Sequence, residues 1–452
     1  MPVIHAAKAL TPEGWKSDVR LTIEGDAIVT IETGVAPRAG DERHAIAAPA
    51  IANLHSHAFQ RGMAGLAEFR GEQNDNFWTW RETMYRFALA MSPDDVEAVA
   101  AQLYVEMLEV GFAAVAEFHY LHHAPDGSPY AARAEMAGRI VAAARRAGIG
   151  LTLLPVFYAH ATFGGAPPKP EQRRFVNDVE SFARLLEDCR ALMKDFPGGA
   201  VGVAPHSLRA ATPSELSALV GLAGEAPIHI HAAEQVKEVE DCLAWSGARP
   251  VQWLLDHAPL DSRWCLVHAT HVNGEETRRL ARAGAVAGLC PVTEANLGDG
   301  VFNAPDFGAH GGVYGIGTDS NVLIGVAAEL RQLEYAQRLR DRARNVCAAE
   351  DASTGRALYE MALAGGARAL ARRSGRLAPG ASADVVTLRA DHPLLAGRSD
   401  DQILDAWIFS VGNPLVDCVW SGGRKLVVDG RHSYREEIGA KFAAAMRGLC
   451  AR

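Results

Sequence analysis

The two ends of the chain contain short segments in which hydrophobic and polar residues alternate. Residues 19–24 read VRLTIE and residues 27–32 read AIVTIE, with polar turn residues between them. This two-residue period is typical of half-buried strands in a small antiparallel sheet. Comparable segments return at residues 385–388, 416–420 and 425–430. We therefore predict that residues 1–48 and 372–435 form one small β-sandwich domain, followed by a C-terminal helix over 436–452.

Between these ends, short apolar runs alternate with longer helical patterns, which is typical of parallel strands joined by helices. Two of the predicted helices begin at Ser92 and Thr212, each followed by proline and an acidic residue, as at a capped amino terminus. Eight apolar runs are present, and they end near residues 55–57, 117–120, 157–160, 205–207, 229–231, 268–271, 290–292 and 318–320. We predict a (β/α)₈ barrel of the TIM type over residues 49–371.

Length and charge narrow the classes of function. A chain of 452 residues suits one large domain with a satellite. The formal net charge is −9 and the basic residues form no long run, which argues against a nucleic-acid partner or an anionic membrane surface. The seven cysteines include no CxxC pair, as expected of free thiols in a reducing compartment. With no signal-peptide pattern and no run of about 20 apolar residues, we expect a cytoplasmic protein.

Nearly every apolar run stops on a polar residue, and the carboxyl ends of the strands are where such barrels build their active sites. His55 and His57 lie two apart at the first strand end, so both imidazoles point to the same face. His231 ends the fifth run and Asp319 ends the eighth. Three imidazoles and one carboxylate suit one divalent metal ion, with a position left for water. We predict zinc, although the same ligands also accept iron, nickel or cobalt.

Two further residues complete a catalytic set. Glu234 follows His231 by three residues, and His268 ends the sixth run between the predicted ligands. Taken singly, a histidine at a strand end is more often a hydrogen-bonded structural residue than a ligand, and acids there often cap the next helix. The combination at correctly ordered strand ends favours the metal site. His229 is the exception, for which we expect a structural or supporting role.

Through these strand-end histidines and Asp319, nearly the whole chain resembles the amidohydrolase superfamily. Two-metal members carry a carboxylated lysine on the fourth strand, but residues 200–208 read AVGVAPHSL, and the spacing of His231 and Glu234 resembles the mononuclear deaminases. The predicted chemistry is attack of metal-bound hydroxide on a C=N carbon. Asp319 takes the proton of the water, His268 stabilises or orients the adduct, and Glu234 passes a proton to the departing ammonia.

Four separated segments are together similar to superfamily members that convert N-formimino-L-glutamate to N-formyl-L-glutamate and ammonia in histidine degradation: residues 55–62, 78–85, 205–210 and 290–300. A substrate with two carboxylates needs cationic or hydrogen-bonding anchors. The candidates for these contacts are Gln60, Arg81, Tyr120, His206 and Arg209. We expect Arg81 on a long aromatic-rich loop that can close over the ligand. Glu294, Asn296 and Asp299 are expected to order the loop after the seventh strand.

Three other interpretations stay open at this point. The protein can be another deaminase or chlorohydrolase of the same superfamily, acting on guanine, cytosine, a modified adenosine or a triazine. The flat rings of these ligands are bound by stacking against aromatic side chains. A barrel can serve as a non-catalytic scaffold, which loss of metal ligands would indicate. A two-metal amide-ring hydrolase is disfavoured by the missing lysine. Related enzymes often form dimers through the exterior of the barrel, so a homodimer is one expected state. No segment of the sequence identifies the interface.

Overall fold

The structure is a computed structural model, and it describes residues 1–70 and 76–451. Within these ranges the chain forms seventeen strands, numbered β1 to β17 in chain order. They are Val3–Thr11, Gly14–Glu24, Ala27–Glu32, Glu42–Pro49, Ile51–Ser56, Phe112–His119, Gly150–Phe157, Ala200–Val201, Ala204–Pro205, Ile228–Ala232, Trp264–His268, Val286–Leu289, Val313–Ile316, Val385–Leu388, Val416–Ser421, Arg424–Val428 and Arg431–His432.

Fourteen α-helices, α1 to α14, lie in the same ranges. They are Phe77–Ala90, Pro93–Glu109, Glu135–Ala147, Val179–Met193, Pro213–Ala223, Val236–Ser246, Pro250–His257, Gly274–Ala283, Pro291–Leu297, Ala304–Ala309, Val326–Asp341, Thr354–Ala369, Asp401–Ala406 and Arg435–Cys450. Ser92 and Thr212 cap α2 and α5 as predicted, each within a reciprocal capping box. None of the helices in these ranges combines the length and apolar composition needed to cross a membrane.

Strands β5 to β13 form the predicted barrel. Strands β5 to β8 pair in parallel as one half, with β9 also pairing with β7, and β10 to β13 form the other half. Parallel bridges join the halves between Ser56 and Asp319 on one side and between Val203 and Ile228 on the other. The fourth barrel position is split into β8 and β9 around Gly202, where a Cβ atom would lie 2.6 Å from the carbonyl oxygen of Pro227. The barrel is closed, and its helices surround it.

The strands from the two ends of the chain join in one sheet, in the order β17-β16-β15-β14-β4-β1-β2-β3. A single hydrogen-bonded path therefore joins the strands of the two ends in the predicted shared β-domain. The amino-terminal strands are not wholly antiparallel, because β1 and β4 pair in parallel. The alternation of hydrophobic and polar residues along a strand indicates which residues face a core. It does not indicate which distant strand is its neighbour in the sheet. Both halves of the sheet contribute to one apolar cluster that includes Leu21, Val385 and Trp420.

One predicted loop is a helix. The segment that carries Arg81 forms α1, so the expectation of an irregular loop there is wrong. Asn76 caps the helix through a hydrogen bond from the backbone N–H of Trp78, at 2.8 Å. Phe77, Met84 and Phe87 are buried on one side of it, and this spacing was obscured in the sequence by the additional tryptophan and tyrosine residues nearby.

Helix α12 packs against the strands that carry the site, and Gly365 is the closest point of that contact. A Cβ atom on Gly365 would lie 2.2 Å from the carbonyl oxygen of Tyr314 in β13. We predict that Gly365→Ala destabilises the protein by about 1–3 kcal/mol, because the helix must move away from the barrel. The matched control is Gly221→Ala in exposed α5, where a Cβ atom meets nothing within 4 Å. There the same change should stabilise by about 0.5–1 kcal/mol.

Urea unfolding of both variants and the unchanged protein measures this difference as the transition midpoint. Equal midpoints for the two variants would contradict the close approach of α12 to β13.

Candidate active site and metal centre

The four predicted metal ligands meet at the carboxyl ends of three barrel strands. His55 lies near the end of β5, with His57 just beyond it, while His231 is in β10 and Asp319 follows β13. All four are buried, and one donor atom from each lies within 4.8 Å of every other. The spacing of two along β5 therefore brings His55 and His57 to one face of the strand, as the sequence indicated.

The distances between the donor atoms fit a small tetrahedral ion. The Nε2 atom of His55 is 3.2 Å from Nε2 of His57 and 3.1 Å from Nε2 of His231. Oδ1 of Asp319 is 3.4 Å from Nε2 of His55 and 3.2 Å from Nε2 of His57. Nitrogen ligands placed about 2.0–2.1 Å from a tetrahedral zinc ion are about 3.3 Å apart. The residues present therefore fit a metal ion of this size.

Backbone carbonyl groups fix the tautomers of two ligands. Nδ1 of His57 is 2.9 Å from the carbonyl oxygen of Phe118, and Nδ1 of His231 is 3.0 Å from that of His206. A carbonyl oxygen only accepts, so each Nδ1 carries the proton and each Nε2 presents a lone pair toward the cluster. By contrast, His229 bonds the carbonyl oxygen of Ala369 at 2.8 Å, outside the cluster, as expected of a structural residue.

The electrostatics of the cluster favour the forms that bind metal. Burial lowers the pKa of His55 to about 3 and holds that of His231 well below its usual value. Burial opposes the ionisation of Asp319, but the adjacent imidazoles of His55 and His57 keep its pKa well below the usual range. Neutral imidazoles and an ionised carboxylate are the protonation states that coordinate a cation.

The backbone is strained at two of the predicted catalytic residues, which lie at or just beyond the ends of their strands. His268 and Asp319 have φ angles of +67° and +46°, and Ala269 next to His268 has +50°. L-residues rarely adopt this region, and such strain concentrates at functional sites. Here it turns each side chain from the end of its strand toward the barrel axis.

The predicted proton-transfer residues lie beside the metal cluster. Nε2 of His268 is 3.7 Å from Oε1 of Glu234 and 3.9 Å from Oδ2 of Asp319. Nδ1 of His268 lies 3.3 Å from Oε1 of Glu294, which also accepts the backbone N–H of Cys290 at 2.8 Å. Burial disfavours the charged imidazole, but Glu234, Glu294 and Asp319 together raise the pKa of His268 to about 10.

The five residues predicted to contact the substrate line one cavity together with predicted metal ligands and proton-transfer residues. The cavity wall contains Gln60, Arg81, Tyr120, His206 and Arg209 together with His57, His231, Glu234, His268 and Asp319. Nε2 of Gln60 donates to the hydroxyl of Tyr120 at 2.8 Å, and Nη2 of Arg81 donates to the hydroxyl of Tyr158 at 3.0 Å. His55 lies beneath the cavity rather than on its wall.

Several residues of the site were not assigned a role in it from the sequence. Tyr158 follows the third barrel strand and lines the cavity, and Trp80, Met84 and Phe175 add an apolar wall. The position of Tyr158 at a strand end is a signal that could have identified it. Glu294 was assigned only to loop ordering, but it lies on α9 in contact with His268. Asn296 donates to Glu68 at 2.7 Å, as expected of a loop-ordering residue.

Comparison with known proteins agrees with this geometry. The model of the amidohydrolase family matches residues 46–426, and that of the N-terminal domain of formimidoylglutamate deiminase HutF matches residues 1–45. A formimidoylglutamate deiminase from Pseudomonas aeruginosa is 51% identical over 452 residues, covering 99% of this chain and 100% of its own. An 8-oxoguanine deaminase from the same organism is 30% identical over 397 residues, covering 86% of this chain and 83% of its own.

A solved structure extends the comparison to the fold. The crystal structure of an amidohydrolase from Brucella melitensis is 58% identical, covers 100% of both chains and superposes with a TM-score of 0.96. The resemblance inferred from the strand-end residues is therefore confirmed. The chain belongs to the amidohydrolase family and, within it, to the family of formimidoylglutamate deiminases.

Proposed function

We propose that the protein hydrolyses the formimino group of N-formimino-L-glutamate, giving N-formyl-L-glutamate and ammonia. The observation that carries this proposal is that one cavity combines two chemically different sets of side chains. Its wall contains members of a metal-type cluster together with Glu234 and His268, and it also contains Arg81 and Arg209. Such a cavity suits a ligand with a hydrolysable C=N group and carboxylates elsewhere in the molecule.

The two arginines retain hydrogen-bonding capacity for a ligand. Nη2 of Arg209 is 3.9 Å from Glu234 and from Glu238, which is too long for a hydrogen bond. Its buried Nε has no partner among the described residues. Arg81 contacts the hydroxyl of Tyr158 and the faces of Trp78 and Tyr85, which are neutral groups. An enclosed guanidinium group that donates no hydrogen bond to a carboxylate is costly, and an anionic ligand that accepts such hydrogen bonds relieves that cost.

We propose that His55, His57, His231 and Asp319 hold one zinc ion. A divalent ion at this position supplies Lewis acidity and lowers the pKa of water, so that hydrolysis proceeds near neutral pH. The chemistry of the donor set supports zinc, because it combines three imidazole nitrogens with one carboxylate oxygen at tetrahedral spacing. Asp319 also faces His268, so its second oxygen is placed to accept a proton from the attacking water.

The remaining steps are assigned to side chains of the cavity. The formimino group reacts in its protonated form, in which the terminal nitrogen carries two hydrogens. As the water oxygen bonds to the formimino carbon, the π electron pair of the C=N bond moves to that nitrogen, and Asp319 takes one water proton. Glu234 donates a proton to that nitrogen, so the C–N bond breaks and ammonia leaves. His268 is placed to stabilise and orient the tetrahedral adduct. When the C–N bond breaks, the hydroxyl proton of the adduct returns to Glu234, and the proton on Asp319 leaves with ammonia as ammonium.

The first prediction from this proposed function concerns the substrate. The metal-loaded protein should release one ammonia per N-formimino-L-glutamate, with a kcat/KM about 100-fold or more above that for guanine, cytosine or 8-oxoguanine. A site that must pair two buried arginines discriminates strongly against ligands without carboxylates. A coupled ammonia assay measures all four compounds. Release from the heterocycles alone would contradict the proposal in favour of a ring deaminase, which the aromatic wall of Trp80 and Phe175 would then explain.

The second prediction concerns the metal. Elemental analysis should find about one zinc ion per chain, and removal by a chelator should abolish ammonia release until zinc is restored. His231→Gln should lower the metal content, because it removes one of the four donors. His229→Gln, two residues away in the same strand, should keep the full content, because His229 bonds Ala369 instead. Equal metal content in the two variants would exclude the proposed ligand set.

The third prediction concerns Arg209. Arg209→Gln should raise KM for N-formimino-L-glutamate about 10- to 100-fold, as expected for loss of a charged hydrogen bond worth about 1.5–3 kcal/mol. Two substrate analogues, one without the α-carboxylate and one without the γ-carboxylate, identify the group that Arg209 binds. The analogue that lacks this group should have nearly the same KM with the variant as with the unchanged protein. Arg263→Gln, whose guanidinium pairs with Asp261 at 2.8 Å, is the control. An Arg209 variant with unchanged KM on every compound would rule out substrate contact.

A further inference from the structure

Asp299 places a second buried carboxyl group close to Glu234. It follows α9 immediately after Gly298, and only 6% of the residue is exposed. Its Oδ1 accepts a hydrogen bond from the side-chain amide of Gln235, the residue next to Glu234. The backbone carbonyl of Asp299 accepts from Nε2 of His271 at 2.9 Å. These contacts fix the loop and hold the Asp299 carboxyl group in place.

The other carboxyl oxygen of Asp299 makes no hydrogen bond to the residues that the structure describes. Its Oδ2 is buried and has no hydrogen-bond partner within the described part of the chain. One carboxylate oxygen of Asp299, one of Glu234 and one ring nitrogen of His268 all lie within 4.8 Å of one another. Two buried carboxyl groups this close do not both ionise readily, because each negative charge disfavours the other.

The surroundings of the pair strengthen this coupling. Burial and the nearby charge of Glu234 raise the pKa of Asp299 to about 9, and burial also raises the pKa of Glu234. Positive groups oppose these effects only in part. The charged groups that face the pair are His268 at the end of β11, Arg209 after β9, Glu238 on α6, Glu294 on α9 and Asp319 after β13. Negative groups outnumber positive ones in that set.

We propose that Asp299 and Glu234 form a proton-sharing pair, with Asp299 as the positioning residue that keeps a proton available on Glu234. The pair holds one proton between its two carboxyl groups. Glu234 gives that proton to the departing nitrogen, and the pair regains one from the adduct hydroxyl as the C–N bond breaks. The identity of that nitrogen rests on the proposed function, whereas the shared proton is a property of the protein without substrate.

The test is Asp299→Asn in the metal-loaded protein. We expect kcat to fall about 10- to 100-fold with KM changed less than about 3-fold, because proton donation rather than binding is impaired. The proposal also predicts the direction in which the pH profile of kcat shifts. Glu234 must be protonated, so activity is lost as pH rises through its pKa. Removing a like charge lowers that pKa, so the basic limb of the kcat profile should move at least about one pH unit lower.

Two further variants separate this role from a structural one. Asp299→Glu keeps the second carboxyl group and should keep the basic limb in its original place. Asp241→Asn makes the same chemical change on α6, where Asp241 pairs with Lys237 at 2.8 Å, and should leave the profile unaltered. A basic limb that stays in place in Asp299→Asn, whatever the rate, would overturn the shared proton.

Infrared spectroscopy tests the pair without substrate. At neutral pH the metal-loaded protein should show the absorption of a buried protonated carboxyl group, which should be lost or shifted in Asp299→Asn and retained in Asp241→Asn. Absence of any such absorption that depends on Asp299 would overturn the proposal. An absorption that Asp299→Asn removes or shifts, in a protein that does not hydrolyse N-formimino-L-glutamate, would refute the proposed substrate and support the pair.

Discussion

The closure of the barrel between β5 and β13 is the contact on which the site depends. The backbone N–H of His57 donates to the carbonyl oxygen of Asp319, and the N–H groups of Thr318 and Asp319 donate to that of His55, all at 3.0 Å. The same hydrogen bonds that close the barrel therefore set the separation of three metal ligands. Gly317 permits this approach, since a Cβ atom there would lie 2.8 Å from the carbonyl oxygen of His55. The hydrogen bonds that close the barrel here also bring His55, His57 and Asp319 together.

A second constraint holds the wall opposite the metal cluster. Arg174 is fully buried, and it donates to the carbonyl oxygens of Ala88 and Met91 at the end of α1 and of His123 nearby. A cation at the carboxyl end of a helix meets its unpaired carbonyl groups and the negative end of its dipole. This contact fixes α1 to the barrel, and α1 in turn carries Arg81 into the cavity. These hydrogen bonds therefore position the part of the cavity wall that α1 contributes.

The sequence predicted the parts of the molecule that follow from local rules. Alternation within β5 placed His55 and His57 on one face, and the order of strand ends brought His231 and Asp319 to them. The parallel pairing of β1 with β4 could not be derived in this way, because it joins strands separated by a hairpin. Glu294 and Asp299 were likewise assigned to a loop, since their closeness to His268 arises only when β11 and α9 are adjacent. Tertiary contacts of this kind leave no periodic signal in the chain.

The fourth barrel position shows how one scaffold can separate catalysis from recognition. Its strand is split, carries no lysine in residues 200–205, and leads directly into His206 and Arg209 on the cavity wall. The predicted metal ligands come from β5, β10 and the end of β13, which leaves this position for the proposed substrate contacts. Because Arg209 also lies 3.9 Å from Glu234, a ligand carboxylate that binds Arg209 weakens its electrostatic support of the ionised Glu234. Substrate binding would thereby favour protonation of the residue that must donate a proton.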